Sequence, residues 1–160
     1  MTWARDDYTV SDDPDRLDLE AVHAYLARSY WSPGVPLEVV RAAAAGSLAF
    51  GLYHGGAQVG YARVVTDRAT FAYVCDVYVL EDEQGQGLGR WLMTCVLAHP
   101  DLHGLRRWLL TTQDAHAFYQ AVGFARTPFP ERFMVIDHPS LYLEDAPDGL
   151  EAENGDLGDG

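Results

Sequence analysis

Three apolar runs in immediate succession leave few architectures open. SLAFGLYH (47–54), AQVGYARVVTD (57–67) and TFAYVCDVYVL (70–80) are rich in the β-branched, aromatic and other apolar residues that suit strands. Gly55 and Gly56 join the first two, a strong hairpin signal, and the next turn contains Asp67. Connections this short permit antiparallel neighbours only, so the three form a meander. Directly after them come three glycines at alternate positions, in LEDEQGQGLGRW, and then a helical pattern running to about Ala98. Its apolar residues Leu88, Trp91, Leu92, Cys95 and Val96 stand at i, i+3, i+4, i+7 and i+8.

The flanking segments complete the outline. DYTVS (7–11) reads as a short first strand. DDPDRLDLEAVHAYLARSYW carries a Leu17, Val22, Leu26 stripe behind helix-starting Asp and Pro, and Pro36 opens a second helix that Gly46 stops. After the meander and its helix, LRRWLLTT predicts a strand, DAHAFYQAVGF a short helix closed by Gly123, and RFMVID a last strand. The result is an α+β fold with one mixed, mostly antiparallel sheet flanked by helices, in one domain over residues 1–143. Residues 144–160 carry seven acidic groups and no basic one, and read as a solvated, flexible tail.

Charge and cysteine usage narrow the function classes. The chain's net charge is −13, and without the tail 11 positive and 17 negative charges leave −6. Nucleic acid, which requires clustered cations, is an unsuitable partner, whereas a cationic substrate is mildly favoured. No apolar stretch approaches the roughly 18 residues of a membrane span, and the start has no leader pattern, so a cytoplasmic location is expected. Cys75 and Cys95 lie in apolar patterns and read as free thiols, and six singly scattered histidines support no metal site.

Glycines at a helix entrance let backbone N–H groups converge on a ligand, with the positive end of the helix dipole behind them, which suits a phosphate or pyrophosphate. The competing reading is a glycine-rich turn without chemistry. A Walker loop is excluded because the chain has no lysine. A dinucleotide fingerprint counted from Gly85 requires glycine where Arg90 stands, and no acidic residue lies at 105–109 for a ribose.

The run Gln84-Gly85-Gln86-Gly87-Leu88-Gly89 resembles the acyl-CoA loop of the GCN5-related N-acetyltransferases, in which Gln or Arg is followed three residues later by Gly and five later by Gly or Ala. TQDAHAFYQAVGF (112–124) is similar to that family's N-x-x-A-x-x-(L/F)-Y-x-x-x-G-F. With the element order, the resemblance covers roughly residues 8–137. The words SYW (29–31), DVYV (76–79) and PERFM (130–134) resemble a group of small bacterial acetyltransferases with no settled substrate.

The resemblance implies an acyltransferase fold whose central sheet is splayed to admit acetyl-CoA as co-substrate, with no metal. Gln84, Gly85, Gln86, Gly87, Leu88, Gly89 and Arg90 would form the pyrophosphate cradle, and Arg90 would add charge. Backbone groups of Val77, Tyr78 and Val79 would hold pantetheine and polarise the thioester, where strand 74–80 splays from 106–111. Thr112 stands where the family has Asn. Tyr119 matches the family's general acid for the leaving thiolate, against the alternative of a core aromatic. The acceptor would be a primary amine, expected on a small molecule; a protein lysine and an N-terminal amine are alternatives. A non-catalytic acyl-CoA sensor is the competing class, and the family's members are often homodimers.

Residue chemistry adds the other site candidates. An alkyl amine of pKa about 10.4 is neutral in only about one part in 2500 at pH 7, a deficit of roughly 4.6 kcal/mol. Asp76 interrupts an apolar strand and is the candidate base, against a structural carboxylate paired with Arg or a backbone N–H; a water relay is a third route. Alternation places its side chain with Val74 and Tyr78. Tyr30 and Trp31, on a Pro/Gly-bounded loop, either cap the core or line the acceptor site, and Glu81, Asp82 and Glu83 form an exposed rim.

Overall fold

The computed structural model describes residues 1–143; the acidic tail (144–160) lies outside the described residues. The sheet opens with a hairpin of β1 (Thr2–Arg5) and β2 (Tyr8–Ser11), turning at Asp6, which has φ of 52°. β1 was not legible as a strand because Trp3 is its one large apolar side chain, packed against Phe50 and the main core. Pro14–Arg16 then form a 3-10 turn capped by Asp13, and α1 (Leu19–Leu26) starts only where the Asp18 carboxylate accepts from Ala21 N–H. α2 (Leu37–Ala45) follows Pro36 and ends at Gly46, as its sequence signals require.

The meander forms as its sequence requires: β3 (Leu48–His54), β4 (Ala57–Thr66) and β5 (Phe71–Val79). α3 (Leu88–Leu97) follows the glycine loop, and β6 (Arg107–Leu109) and α4 (His116–Ala121) come last. Strand order is β1-β2-β3-β4-β5-β6, antiparallel except for the parallel β5·β6 pair.

Each face of the sheet has its own core. Leu48, Phe50 and Leu52 of β3 pack with Leu88, Leu92 and Val96 of α3, while Ala49, between them in sequence, packs with Val22, Leu26 and Val40 of α1 and α2. The molecule is therefore a mixed sheet between two helical layers, in agreement with the expected α+β class.

One predicted strand does not form. Residues 132–137, RFMVID, pair with nothing among the described residues, and Met134, Val135 and Ile136 are 97, 80 and 91 % exposed. A strand needs a neighbour's edge to satisfy its backbone, and this segment is paired with no strand of the sheet.

Candidate functional site

The three glycines are required for different reasons. Gly85 and Gly87 have φ of 86° and 74°, and the space above each is open. Gly89 has ordinary backbone, but a Cβ there would meet the Phe118 ring of α4 at 3.3 Å. Two glycines thus shape the loop and the third lets α3 approach α4. The first helical bond of α3 runs from Trp91 N–H to Gly87 C=O, so the N–H groups of Leu88, Gly89 and Arg90 have no partner within the helix and face outward at its positive end.

Gln84 holds this loop from behind, its Nε2 donating to Val79 C=O at 2.8 Å. Its side chain therefore positions the cradle and occupies the Val79 carbonyl. Gln84→Leu is expected to cost about 1 kcal/mol of stability and to weaken acetyl-CoA binding several-fold, measured by calorimetric titration and thermal melting.

The acidic rim is a set of clamps. Glu83 accepts from Tyr8 Oη at 2.6 Å and pairs with His54 at 2.9 Å, contacts that hold its carboxyl below the usual carboxylate range. Glu81 accepts both arms of the Arg28 guanidinium at 2.8 and 3.0 Å, and Arg5 donates to Gln86 C=O at 3.1 Å while lying over Trp91. Arg5, Tyr8 and His54 escaped sequence reasoning because they lie 29 to 81 residues from their loop partners.

β5 and β6 pair only from Phe71↔Arg107 to Tyr73↔Leu109. From Val74 onward β5 has no neighbour on that side among the described residues, which is the expected splay. Its other side carries a bulge: Tyr61↔Tyr78 is followed by Arg63↔Cys75, so β5 has one residue more than β4 there. Asp76 sits in the bulge at φ of 54°.

The bulge reverses the alternation. Val74 packs in the α3-side core and Tyr78 in the α1/α2-side core, stacked on Tyr25 at 3.8 Å. The expectation that Asp76 shares a face with both is therefore corrected: it lies with Tyr78, away from Val74. Tyr78 buries its ring under α1 and turns its backbone groups to Tyr61 of β4, so the expectation that it holds a ligand in the splay is corrected. The Asp76 carboxylate accepts from Arg63 Nε at 2.8 Å through one oxygen and from Trp31 Nε1 at 3.1 Å through the other. Arg63 reaches on to Ser47 Oγ at 3.1 Å. Both charged side chains are largely buried, 17 % exposed for Arg63 and 10 % for Asp76. They line a cavity of about 100 Å3 with Ser32, Tyr61 and Tyr142.

Tyr30 stands edge-on to Trp31 at 5.2 Å. Burial, with Tyr30 and Cys75 adding to it, pushes the Tyr119 phenol up to about 12. Burial likewise raises the Cys75 thiol to about 11. Tyr30, Trp31 and Asp76, spread over 47 residues of sequence, are thus linked one to the next on the α1/α2 face of β5, while Tyr119 packs against the α3-side core. Thr112 Oγ1 accepts from Ala115 N–H at 3.0 Å at the entrance to α4, so its oxygen is engaged in local structure and its O–H is the group left to donate. Arg90 is exposed on a shallow groove of about 550 Å3 between α3 and Ala121–Gly123. Among the described residues no cluster of His, Cys, Asp or Glu is arranged to hold a metal, and no helix is long and apolar enough to cross a membrane.

Residues 2–124 match the model of the Acetyltransferase (GNAT) family. A protein of Gibberella zeae named a putative acetyltransferase is 35 % identical over 113 residues, 58 % of this chain and 64 % of its own length, so the chain spans under two thirds of that relative. A crystal structure from Xanthomonas campestris pv. campestris, assigned to the same family, superposes with a TM-score of 0.82 at 44 % identity, covering 84 % of this chain and 96 % of that one. A further structure from Deinococcus radiodurans shares the fold at 19 % identity with a TM-score of 0.68, covering 88 % of this chain and 95 % of that one. With the splayed sheet, the open helix entrance and a family match across most of its described length, the chain belongs to the GNAT family of acetyltransferases.

Proposed function

We propose that this protein transfers acetyl from acetyl-CoA to a primary amine of a small molecule, by direct attack in a ternary complex. The observation that carries the reading is a strand whose outer edge is free and whose end leads into an open helix N-terminus, with Asp76 and Trp31 bonded to each other beside it. The amine nitrogen attacks the thioester carbon, the carbon–sulfur bond breaks, and the CoA sulfur leaves as a thiolate that must be protonated or solvated.

The donor is Tyr119, acting by hydrogen bond. With its phenol near 12 and a thiol near 8.5, complete proton transfer would run uphill by about 5 kcal/mol. The phenol remains protonated and lowers the barrier by donating to developing charge on sulfur. Asp76, paired with Arg63, accepts an N–H hydrogen bond and orients the acceptor, with water carrying the proton outward. Cys75 is near, but a thiol raised to about 11 offers little thiolate at neutral pH, which disfavours an acetyl-cysteine intermediate. The acidic body and the small cavity favour a compact, cationic amine.

Tyr119→Phe tests this assignment. Its kcat is expected to fall about 10- to 100-fold, with the KM for acetyl-CoA nearly unchanged. Because the phenol ionises only near 12, the pH–rate profile should keep its shape up to pH 10 in both forms. An unaltered kcat would remove Tyr119 from the reaction, and an alkaline limb lost in the variant would show that its ionisation is used.

A further inference from the structure

The cavity beside the Arg63–Asp76 pair lies between the sheet and α2. The sheet contributes its charged side chains, while α2 and the residue just before it contribute apolar ones, Val35, Val39 and Val40. A further wall is Tyr142, from the end of the described chain. Its place there is built into the fold. Tyr142 packs against the core that holds Val22, Leu26 and Val40, and its turn is closed by Leu143 N–H donating to Ser140 C=O at 3.0 Å. The Tyr142 carbonyl oxygen lies 3.0 Å from where a Cβ on Gly34 would stand, and Gly34 has φ of 74°. Glycine at 34 is what lets the α1–α2 loop and this turn come so close.

Volume and chemistry define what fits. A cavity of roughly 150 Å3 admits the six carbons of benzene, so one of about 100 Å3 admits about four non-hydrogen atoms. Each Asp76 oxygen accepts one hydrogen bond, from Arg63 or from Trp31, and a carboxylate has about four acceptor sites, so about two remain for an N–H donor. Among the described residues Asp76 is the one carboxylate lining the cavity, and Arg63 already balances its charge. Nothing there would hold a second ammonium, whereas the valines offer their surface to carbon.

We propose that the cavity takes a short alkyl primary amine, its nitrogen donating to Asp76 and its chain lying against the α2 valines, and that Tyr142 sets the limit on chain length. As an acceptor site the cavity rests on the acetyl-transfer reading, while its occupancy can be measured without turnover.

The test follows the Trp31 indole N–H by nuclear magnetic resonance in the isotope-labelled full chain, because its donation to Asp76 makes it a reporter of that carboxylate. Trp31→Phe, which lacks the N–H, assigns the resonance. n-Propylamine should shift it saturably, and n-hexylamine should bind about tenfold more weakly or worse. Tyr142→Ala removes the wall, so hexylamine affinity relative to propylamine should rise about tenfold. Gly34→Ala, which displaces the same turn, should move the ratio in the same direction, and Tyr142→Phe should leave it unchanged. CoA thiol release with the two amines should show the same change in kcat/KM, with the KM for acetyl-CoA nearly unchanged. A Trp31 resonance that neither amine moves, or a ratio that Tyr142→Ala and Gly34→Ala both leave unchanged, would overturn the proposal. Saturable propylamine binding with the expected ratios but no acetyl transfer would uphold the site and remove the acetyl-transfer reading. Turnover whose amine preference ignores both variants would keep that reading and overturn this one.

Discussion

Gly87→Glu is expected to abolish acetyl-CoA binding while leaving the protein folded, with the dissociation constant rising at least 100-fold in calorimetric titration. Two effects combine. At φ of 74°, any residue with a Cβ incurs strain of about 1–2 kcal/mol. Nothing lies within 4 Å of that Cβ, so the strain is not compounded by a clash. The larger effect is electrostatic: a carboxylate at the entrance of α3 competes for the N–H groups of Leu88, Gly89 and Arg90 and repels an incoming phosphate. Gly87→Ala separates the two, since it should lose stability by the strain alone and weaken binding only a few-fold. If the glutamate variant bound acetyl-CoA within threefold of the intact protein, the loop would not be the phosphate cradle.

Arg63→Met is expected to lower stability by about 3 kcal/mol, because it leaves the Asp76 carboxylate largely buried without its cation. In a chain of this size that corresponds to a melting temperature reduced by about 6–12 °C. The double variant Arg63→Met, Asp76→Asn should recover most of the loss, since asparagine retains the hydrogen bond from Trp31 and tolerates the positive φ of the bulge. Acetyl transfer should not recover with it. A double variant as active as the intact protein would make the pair purely structural, and a single variant that melts normally would contradict its burial.

Which features were legible follows from how local each one is. The β3–β5 meander and α3 depend on connections of two and four residues and a 3.6-residue period, so the sequence states them almost literally. The glycine loop was legible in its spacing, but the division of labour between Gly85, Gly87 and Gly89 was not, because the Phe118 contact comes from α4. Alternation failed at Asp76 because a bulge is set by the register between β4 and β5, which no single strand reveals. Arg63, four residues before a turn, carries no signal that it will meet Asp76. RFMVID has the composition of a strand, but composition cannot say whether an edge will pair with it.

The most direct test of the central claim is release of CoA thiol from acetyl-CoA by the intact protein across a panel of small primary amines, diamines and amine-bearing peptides. Thiol release that depends on a small cationic amine and is matched by acetylated product is the predicted result. Saturable acetyl-CoA binding with no amine-dependent release from any member of the panel would contradict transfer and favour a protein that only senses the acyl-CoA.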